Sequence, residues 1–144
     1  MRRPLKQVFV TQHFGDNPKV YNPFGMKGHN GIDFRAPVGT EIFSAISGKI
    51  QNIKNETGYG LHIKQRNWKH EVVYAHMMSF ACKNGDHVAE GNLIGYSGNS
   101  GFSSGPHLHF GVRERTILGG VKNYDNGFLG WINPILAFDG AEEK

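Results

Sequence analysis

The sequence has one cysteine, few charged residues and no long apolar run. The lone thiol, Cys82, excludes an internal disulfide and a zinc site built from several thiolates, and we interpret it as structural. No apolar stretch approaches the ~18–20 residues of a membrane-spanning helix, so no span is expected. Charged residues make up 19% and hydrophobic residues 38% of the chain, which is too apolar for a disordered protein. A folded domain is therefore expected.

The charge of the chain is mildly positive and scattered. Sixteen basic and twelve acidic residues give a formal net charge of +4, which favours anionic surroundings such as a bacterial cell wall, a membrane surface or nucleic acid. The basic residues form no stripe interleaved with aromatic ones, so nucleic-acid binding is not expected. Residues 1–10 are basic but lack the apolar segment of a secretory signal, and we predict no Sec signal peptide there.

Glycine is abundant, which indicates many tight turns. Twenty glycines occur in 144 residues without a collagen-like period. The turn spacing and chain length predict a single all-β domain with an antiparallel sheet or sandwich. A short turn is expected at 77–81, and no helix of three turns is expected. Short β-branched or aromatic runs bounded by turn residues predict strands at 8–11, 40–46, 48–53, 60–65, 71–76, 93–97 and 107–113.

Two short motifs could bring metal ligands together. His107 and His109 are two residues apart in a predicted strand and therefore project to one face, although they could also be a solvent-facing pair. His29 and Asp33 flank a glycine-containing turn and are both zinc-ligating types, although Asp33 could instead cap the turn. Together His29, Asp33 and His109 supply two nitrogens and one oxygen. That set leaves tetrahedral zinc one open position, as in catalytic sites.

Two more histidines are then available for proton transfer. His76 and His107 are of the residue type that titrates near neutrality, as general acid–base chemistry requires. His76 could also be a polar residue where a strand meets solvent. The other four have no partner spacing and are expected at the surface or at the edge of the core: His13, His62, His70 and His87.

These residues resemble the lysostaphin- and LytM-like zinc endopeptidases of peptidase family M23. The resemblance rests on His29-x-x-x-Asp33, on Tyr74-Ala75-His76 and on His107-x-His109. Each motif is weak alone, but their order and spacing make the combination specific. Flanking segments that also agree are 28–34, 36–40, 47–50, 88–95, 97–101 and 104–110.

The resemblance implies one M23-like domain over residues 1–144, with its core at about 8–134. The implied fold is a compact, lysostaphin-like antiparallel β-sheet of the duplicated hybrid-motif type, with loops that form a groove. It also implies one Zn²⁺ ion bound by His29, Asp33 and His109.

The resemblance further implies that His76 and His107 are catalytic histidines that do not bind the metal. The usual family assignment makes His107 the general base, while the sequence itself leaves the two roles open. Tyr21, Asn99 and Ser100 are candidate substrate-binding residues. The groove walls are expected from 16–27, 99–104 and 115–130.

The function implied by the resemblance is hydrolysis of peptide bonds in bacterial peptidoglycan, in the crossbridge or the stem peptide. The enzyme would act on the cell wall as a monomer. It would be secreted, periplasmic or delivered by a phage as a lysin.

Two other functions compete with this interpretation. A catalytically silent LytM-like domain would bind or regulate other wall enzymes, but such domains have lost zinc ligands that are present here. The segments around Gly48 and Gly95 also resemble lipoyl and phosphotransferase carrier domains. A carrier needs a single modifiable lysine or histidine at a hairpin tip, and Lys49 lacks the usual sequence context.

Overall fold

The computed structural model describes residues 1–140 and shows an antiparallel, mostly β-structure with ten strands. One four-residue helix and two short 3-10 turns accompany the sheet. The strands are β1 (Val10–Gln12), β2 (Ile32–Arg35), β3 (Glu41–Phe43), β4 (Gly48–Lys54), β5 (Leu61–Arg66), β6 (His70–Phe80), β7 (His87–Val88), β8 (Leu93–Ser97), β9 (His107–Glu114) and β10 (Trp131–Ile132). The helix is α1 (Pro18–Tyr21), and the 3-10 turns are Asn22–Phe24 and Pro134–Ala137.

The order of the strands places β9 and β6 at the centre of the sheet. The main path is β1-β2-β9-β6-β5-β4-β7, with β10 beside β9. The far half of β6 pairs with β8, which in turn pairs with β3. Because every pairing is antiparallel, the predicted all-β antiparallel class is confirmed.

Period-two alternation separates a core face from a polar face on the central strands. On β9, Leu108, Phe110 and Val112 are fully buried in the core. On the neighbouring β2, Ile32 and Phe34 enter the same core, and Phe34 lies opposite Leu108. The intervening residues of both strands therefore share the opposite face of the sheet.

A buried ion cluster lies farther along that opposite face. The carboxylate of Glu71 accepts two hydrogen bonds from Arg66 and one from Arg113, and its side chain is 3% exposed. The guanidinium of Arg113 also lies 4.5 Å from the ring centroid of Trp131. Burial alone would raise the pKa of Glu71, but the bonds and charges of the two arginines outweigh it and lower that pKa.

The structure corrects two boundaries. Residues 77–81 are not a turn, because β6 continues to Phe80 and pairs with β8. The strand predicted at 40–46 stops at Phe43, where the hydroxyl of Ser44 bonds the carbonyl of Ile46 and turns the chain. His62, which was expected at the surface or at the edge of the core, is buried and 2% exposed.

Other features bear on the competing interpretations. Lys49 lies inside β4, opposite Arg66, and not at the hairpin tip that a carrier domain requires. Cys82 is half-buried and has no disulfide partner among residues 1–140. No helix in that part of the chain is long and apolar enough to cross a membrane.

Candidate active site

Cross-strand pairing brings the first two candidate ligands together. Asp33 on β2 and His109 on β9 are direct partners, and both project from the polar face. Their neighbours Ile32 and Phe110 hold the strands in register by packing in the core. Ala75, opposite His109 on β6, has a small side chain that leaves the floor of the site open.

His29 reaches the same point from the turn that precedes β2. The turn is hydrogen-bonded to an earlier loop, with the His29 N–H on Asp16 O and the Gly15 N–H on His29 O, both at 2.8 Å. A Cβ at Gly28 would overlap the backbone of Gly15, so glycine is needed for this approach. The Nδ1–H of His29 donates to the carbonyl of His13 at 3.2 Å. The Nε2 of His29 is therefore free of a proton in the neutral ring and faces inward.

Three ligand atoms converge at one point. His29 Nε2 and His109 Nδ1 are 3.0 Å apart, and Asp33 Oδ1 lies 3.2 Å and 3.0 Å from them. Tetrahedral ligands at the usual zinc distances would be separated by about 3.3–3.5 Å. Two of these atoms, His29 Nε2 and Asp33 Oδ1, present lone pairs to each other. The three residues are buried, and their donor set and geometry fit a zinc ion.

Electrostatics keep the ligands in the states that metal binding needs. Burial would raise the pKa of Asp33, but hydrogen bonds and charge from His109 and His29 hold it well below its usual value. Burial lowers the pKa of His109, which favours the neutral ring. The site therefore offers a carboxylate at Asp33 and favours a neutral imidazole at His109, the states that bind a metal.

A β-bulge turns His76 towards these ligands. Tyr74 pairs with Ile63 and Met77 with Leu61, so two residues of β6 oppose the single residue His62 of β5. His76 sits in this bulge with φ 60°, a left-handed conformation that costs of order 1–3 kcal/mol in a residue other than glycine. Ala75 projects from the polar face, so strict alternation would point His76 into the core. The bulge interrupts this alternation and leaves His76 on the polar face. Strained backbone of this kind is concentrated at functional sites.

His76 and His107 lie side by side with their ring centroids 4.8 Å apart. Their Nδ1–H groups donate to the carbonyls of Ser100 at 2.7 Å and Gly105 at 2.8 Å. Since a carbonyl only accepts, Nε2 carries the lone pair in both neutral rings. The Nε2 of His107 is 3.5 Å from Oδ2 of Asp33. Burial lowers the pKa of His76 to about 4, which keeps it neutral at pH 7.

Comparison with known proteins places this geometry in a family. Residues 27–122, which include all five site residues, match the model of a protein family described as "Peptidase family M23". The chain belongs to peptidase family M23.

Relatives of this M23 domain include metallopeptidases of known and unknown activity. It is 40% identical over 111 residues to an uncharacterized metalloprotease of Buchnera aphidicola, which covers 75% of this chain and 29% of the relative. It is 38% identical over 94 residues to the glycyl-glycine endopeptidase ALE-1 of Staphylococcus capitis, which covers 61% of this chain and 26% of that protein. The chain thus spans less than a third of the length of either relative.

The fold of the M23 domain also matches a solved structure. The catalytic domain of lysostaphin from Staphylococcus simulans superposes with a TM-score of 0.70 at 27% identity. The match covers 90% of this chain and 91% of that domain. The expected lysostaphin-like fold is therefore confirmed.

The candidate substrate-binding residues occupy different positions in the M23 domain. Tyr21 lies beside the ligands, its ring 5.2 Å from that of His29, and its hydroxyl accepts a bond from Gln12 at 3.4 Å. Asn99 is exposed in the loop that follows β8. Ser100 is half-buried, and its hydroxyl bonds main-chain groups of Leu61 and Met77. Contact of these three residues with substrate stays a prediction.

A cavity of about 640 Å³ opens beside the ligands. Each of the three expected wall segments supplies lining residues, and none of the residues that line the cavity is Asp, Glu, Lys or Arg. The apolar walls are formed chiefly by Tyr21, Phe24, Met26, Phe102, Leu129 and Trp131.

Tyr59 is a site residue that the sequence interpretation missed. Its ring stacks on His109, with centroids 5.3 Å apart, and its hydroxyl accepts a hydrogen bond from Asn30 at 2.8 Å. The buried Nε2 of His109 has no hydrogen-bond partner among residues 1–140, so this ring is held by packing on its Tyr59 side. The signal in the sequence was an aromatic residue between two glycines, Gly58 and Gly60, which by itself indicates only a turn.

Proposed function

We propose that this chain is a zinc-dependent endopeptidase that hydrolyses peptide bonds of bacterial peptidoglycan, in the crossbridge or the stem peptide. The observation that carries the proposal is the convergence of His29 Nε2, Asp33 Oδ1 and His109 Nδ1. Beside them lie two histidines whose Nε2 atoms carry the lone pair in the neutral ring. The relationship to a glycyl-glycine endopeptidase supports the choice of substrate. A monomer acting through one domain is part of the proposal.

One zinc ion would be held by His29, Asp33 and His109, with a fourth position open to water and substrate. When bound, zinc supplies Lewis acidity, which lowers the pKa of water and polarises the scissile carbonyl. The protein contributes ligands fixed by strand pairing and a carboxylate whose pKa is held low. Cation binding therefore requires little reorganisation of these side chains.

His76 and His107 would move the protons. In the neutral rings Nδ1–H is bonded to main-chain carbonyls, so Nε2 is the atom that accepts a proton from the attacking water. The histidine that receives this proton can return it from Nε2 to the leaving amine. His107 is the better placed base because its Nε2 faces the ligand carboxylate of Asp33 at 3.5 Å.

Tyr21 would stabilise the oxygen of the tetrahedral intermediate. Burial raises the pKa of its hydroxyl, so the group stays protonated and can donate a hydrogen bond. The ring lies beside His29, on the side where the cavity opens.

The cavity beside the ligands favours an uncharged peptide segment. Because its lining residues include no lysine, arginine, aspartate or glutamate, a charged side chain placed there would lose water without gaining a partner. Phe24 and Phe102 are 62% and 75% exposed, line the cavity and would contact such a segment. Peptides rich in glycine or alanine fit this environment best. We place the enzyme's action at the cell wall, after secretion, export to the periplasm or delivery by a phage.

A digest of purified peptidoglycans tests the proposal. Walls with different crossbridges would be incubated with zinc-loaded protein, and new amino termini would be identified by mass spectrometry. The His29→Ala variant is the matched control. New amines from the wild type alone would support the proposal and name the bond. A zinc-loaded protein that releases none from any wall would contradict it, and a protein that neither binds zinc nor releases amines would favour a silent binding module.

A further inference from the structure

The loop of residues 98–105, between β8 and β9, accepts a hydrogen bond from each of the two histidines that the proposed mechanism uses, His76 and His107. The carbonyl of Ser100 accepts the Nδ1–H of His76 at 2.7 Å. Five residues later the carbonyl of Gly105 accepts the Nδ1–H of His107 at 2.8 Å. The orientation and tautomer of both rings therefore depend on where this one loop lies.

The side chain of Ser100 fixes the loop against the sheet. Its hydroxyl donates to the carbonyl of Met77 at 2.7 Å and accepts the N–H of Leu61 at 3.0 Å. Leu61 and Met77 are the first paired residues beyond the bulge that contains His76. One hydroxyl thus bridges the two strands at the bulge, while the carbonyl of the same residue holds the histidine.

Close backbone contact adds to this attachment. The N–H of Phe102 donates to the carbonyl of Gly58 at 2.8 Å. Gly101 has φ +77°, and a Cβ there would overlap the backbone of Gly60. No side chain separates residues 58–60 from residues 100–102 at this point. The hydroxyl of Ser100 is the side-chain group that bonds the 98–105 loop to β5 and β6.

We propose that Ser100 is a positioning residue, whose hydroxyl locks the 98–105 loop to β5 and β6 so that the loop carbonyl holds His76 with Nε2 towards the metal ligands. The inference rests on the proposed function in that it gives His76 a role in proton transfer. It assigns Ser100 an indirect effect, through His76, in place of contact with substrate. The hydroxyl has both its donor and an acceptor site engaged in main-chain bonds, which supports this assignment.

The test compares Ser100→Ala, which removes the hydroxyl, with Ser100→Thr, which retains it. Ser104→Ala is the matched control, because Ser104 is an exposed serine in the same loop. Long-range ¹H–¹⁵N NMR of the zinc-loaded proteins reports the tautomer of His76 and the exchange of its Nδ1 proton. Zinc content, kcat and KM are measured in parallel on whichever wall the wild type digests.

The expected result is selective loss in Ser100→Ala. The Nδ1 proton of His76 should exchange faster than in the wild type, and kcat should fall by about 10–100-fold with little change in KM or zinc content. Ser100→Thr should restore the wild-type NMR signal and rate, and Ser104→Ala should keep the wild-type NMR signal of His76. If Ser100→Ala does not fold, Ser100→Cys, which is slightly larger than serine and bonds weakly, should show the same loss to a smaller degree.

Two results would overturn the inference. An unchanged His76 signal in Ser100→Ala, or in Ser100→Cys if that variant replaces it, would mean that the hydroxyl does not hold the loop. A loss that Ser100→Thr fails to restore would mean that packing, and not the hydroxyl, is responsible. The NMR arm needs no substrate, so it decides the role of Ser100 even if the protein digests no wall and the proposed function fails.

Discussion

Replacing Asp33 with asparagine removes the one negative charge from the candidate zinc site while preserving its shape. The carboxylate oxygen Oδ1 lies 3.0 Å from His109 Nδ1 and 3.2 Å from His29 Nε2, so it forms one corner of the ligand triangle. Only 7% of the residue is exposed, and water has little room to replace the lost ligand. Asp33→Asn should therefore weaken zinc binding sharply.

The size of the effect follows from the ligand count. Structural zinc sites with four ligands bind with about 10–16 kcal/mol, or about 2.5–4 kcal/mol for each ligand. At about 1.4 kcal/mol for each factor of ten, loss of the carboxylate should reduce affinity by about 10²–10³-fold.

The assay is competition for zinc against a chromophoric chelator at constant neutral pH. Asp86→Asn is the control, because it makes the same chemical change at an exposed turn before β7, where Asp86 accepts the N–H of Lys83. Wild type and Asp86→Asn should have equal affinity. If Asp33→Asn binds zinc as tightly as these two, Asp33 is not a ligand and the reasoning about the triangle fails.

The remaining predictions concern proton transfer, packing and pH. His76→Ala and His107→Ala should each retain zinc but hydrolyse peptidoglycan about 10²–10⁴-fold more slowly, and metal analysis showing zinc loss in both would contradict the proposed roles. Gly31→Ala should lower the free energy of unfolding, measured by urea titration, by about 1–3 kcal/mol. The reason is that a Cβ at this position would overlap a carbonyl of β9 and lie 3.0 Å from Nε2 of His109. A variant as stable as the wild type would refute this steric argument. Glu71→Gln should cost about 2 kcal/mol at neutral pH, less than a fully buried pair because the two arginines are partly exposed. The arginine bonds outweigh burial and lower the pKa of Glu71. The difference in stability between wild type and Glu71→Gln should therefore persist above the usual glutamate pKa of about 4.3 and shrink as the pH falls further. A difference in stability that does not depend on pH would argue against a charge effect.

Local pattern was sufficient for the two histidines of β9. Alternation along β9 places His107 and His109 on one face, and the buried residues between and after them identify the other face. Asp33 lies on β2, which was not among the predicted strands, and it pairs directly with His109. The sequence grouped the two residues by ligand type and by family resemblance, because period alone does not specify strand order.

The features that sequence could not supply depend on register and on contacts between distant loops. His76 was expected at a strand end, whereas it lies in a bulge with positive φ inside a longer strand. A bulge arises from a mismatch between two strands, and neither strand encodes that mismatch alone. Tyr59 likewise contacts His109 across 50 positions of sequence, and the carbonyl of Ser100 holds His76 across 24 positions. The carbonyl of Gly105 lies only two residues from His107, but it is a main-chain atom that any residue carries.

The central claim is that one zinc ion, held by His29, Asp33 and His109, makes this chain a peptidoglycan endopeptidase. Zinc-free protein would be titrated with zinc while the release of new amino termini from a susceptible wall is followed. The initial rate should rise in proportion to zinc, reach a plateau at one ion per chain, and stay at background in Asp33→Asn at the same zinc concentrations. Full activity without zinc, or wild-type activity in Asp33→Asn, would contradict a zinc-dependent mechanism at these ligands.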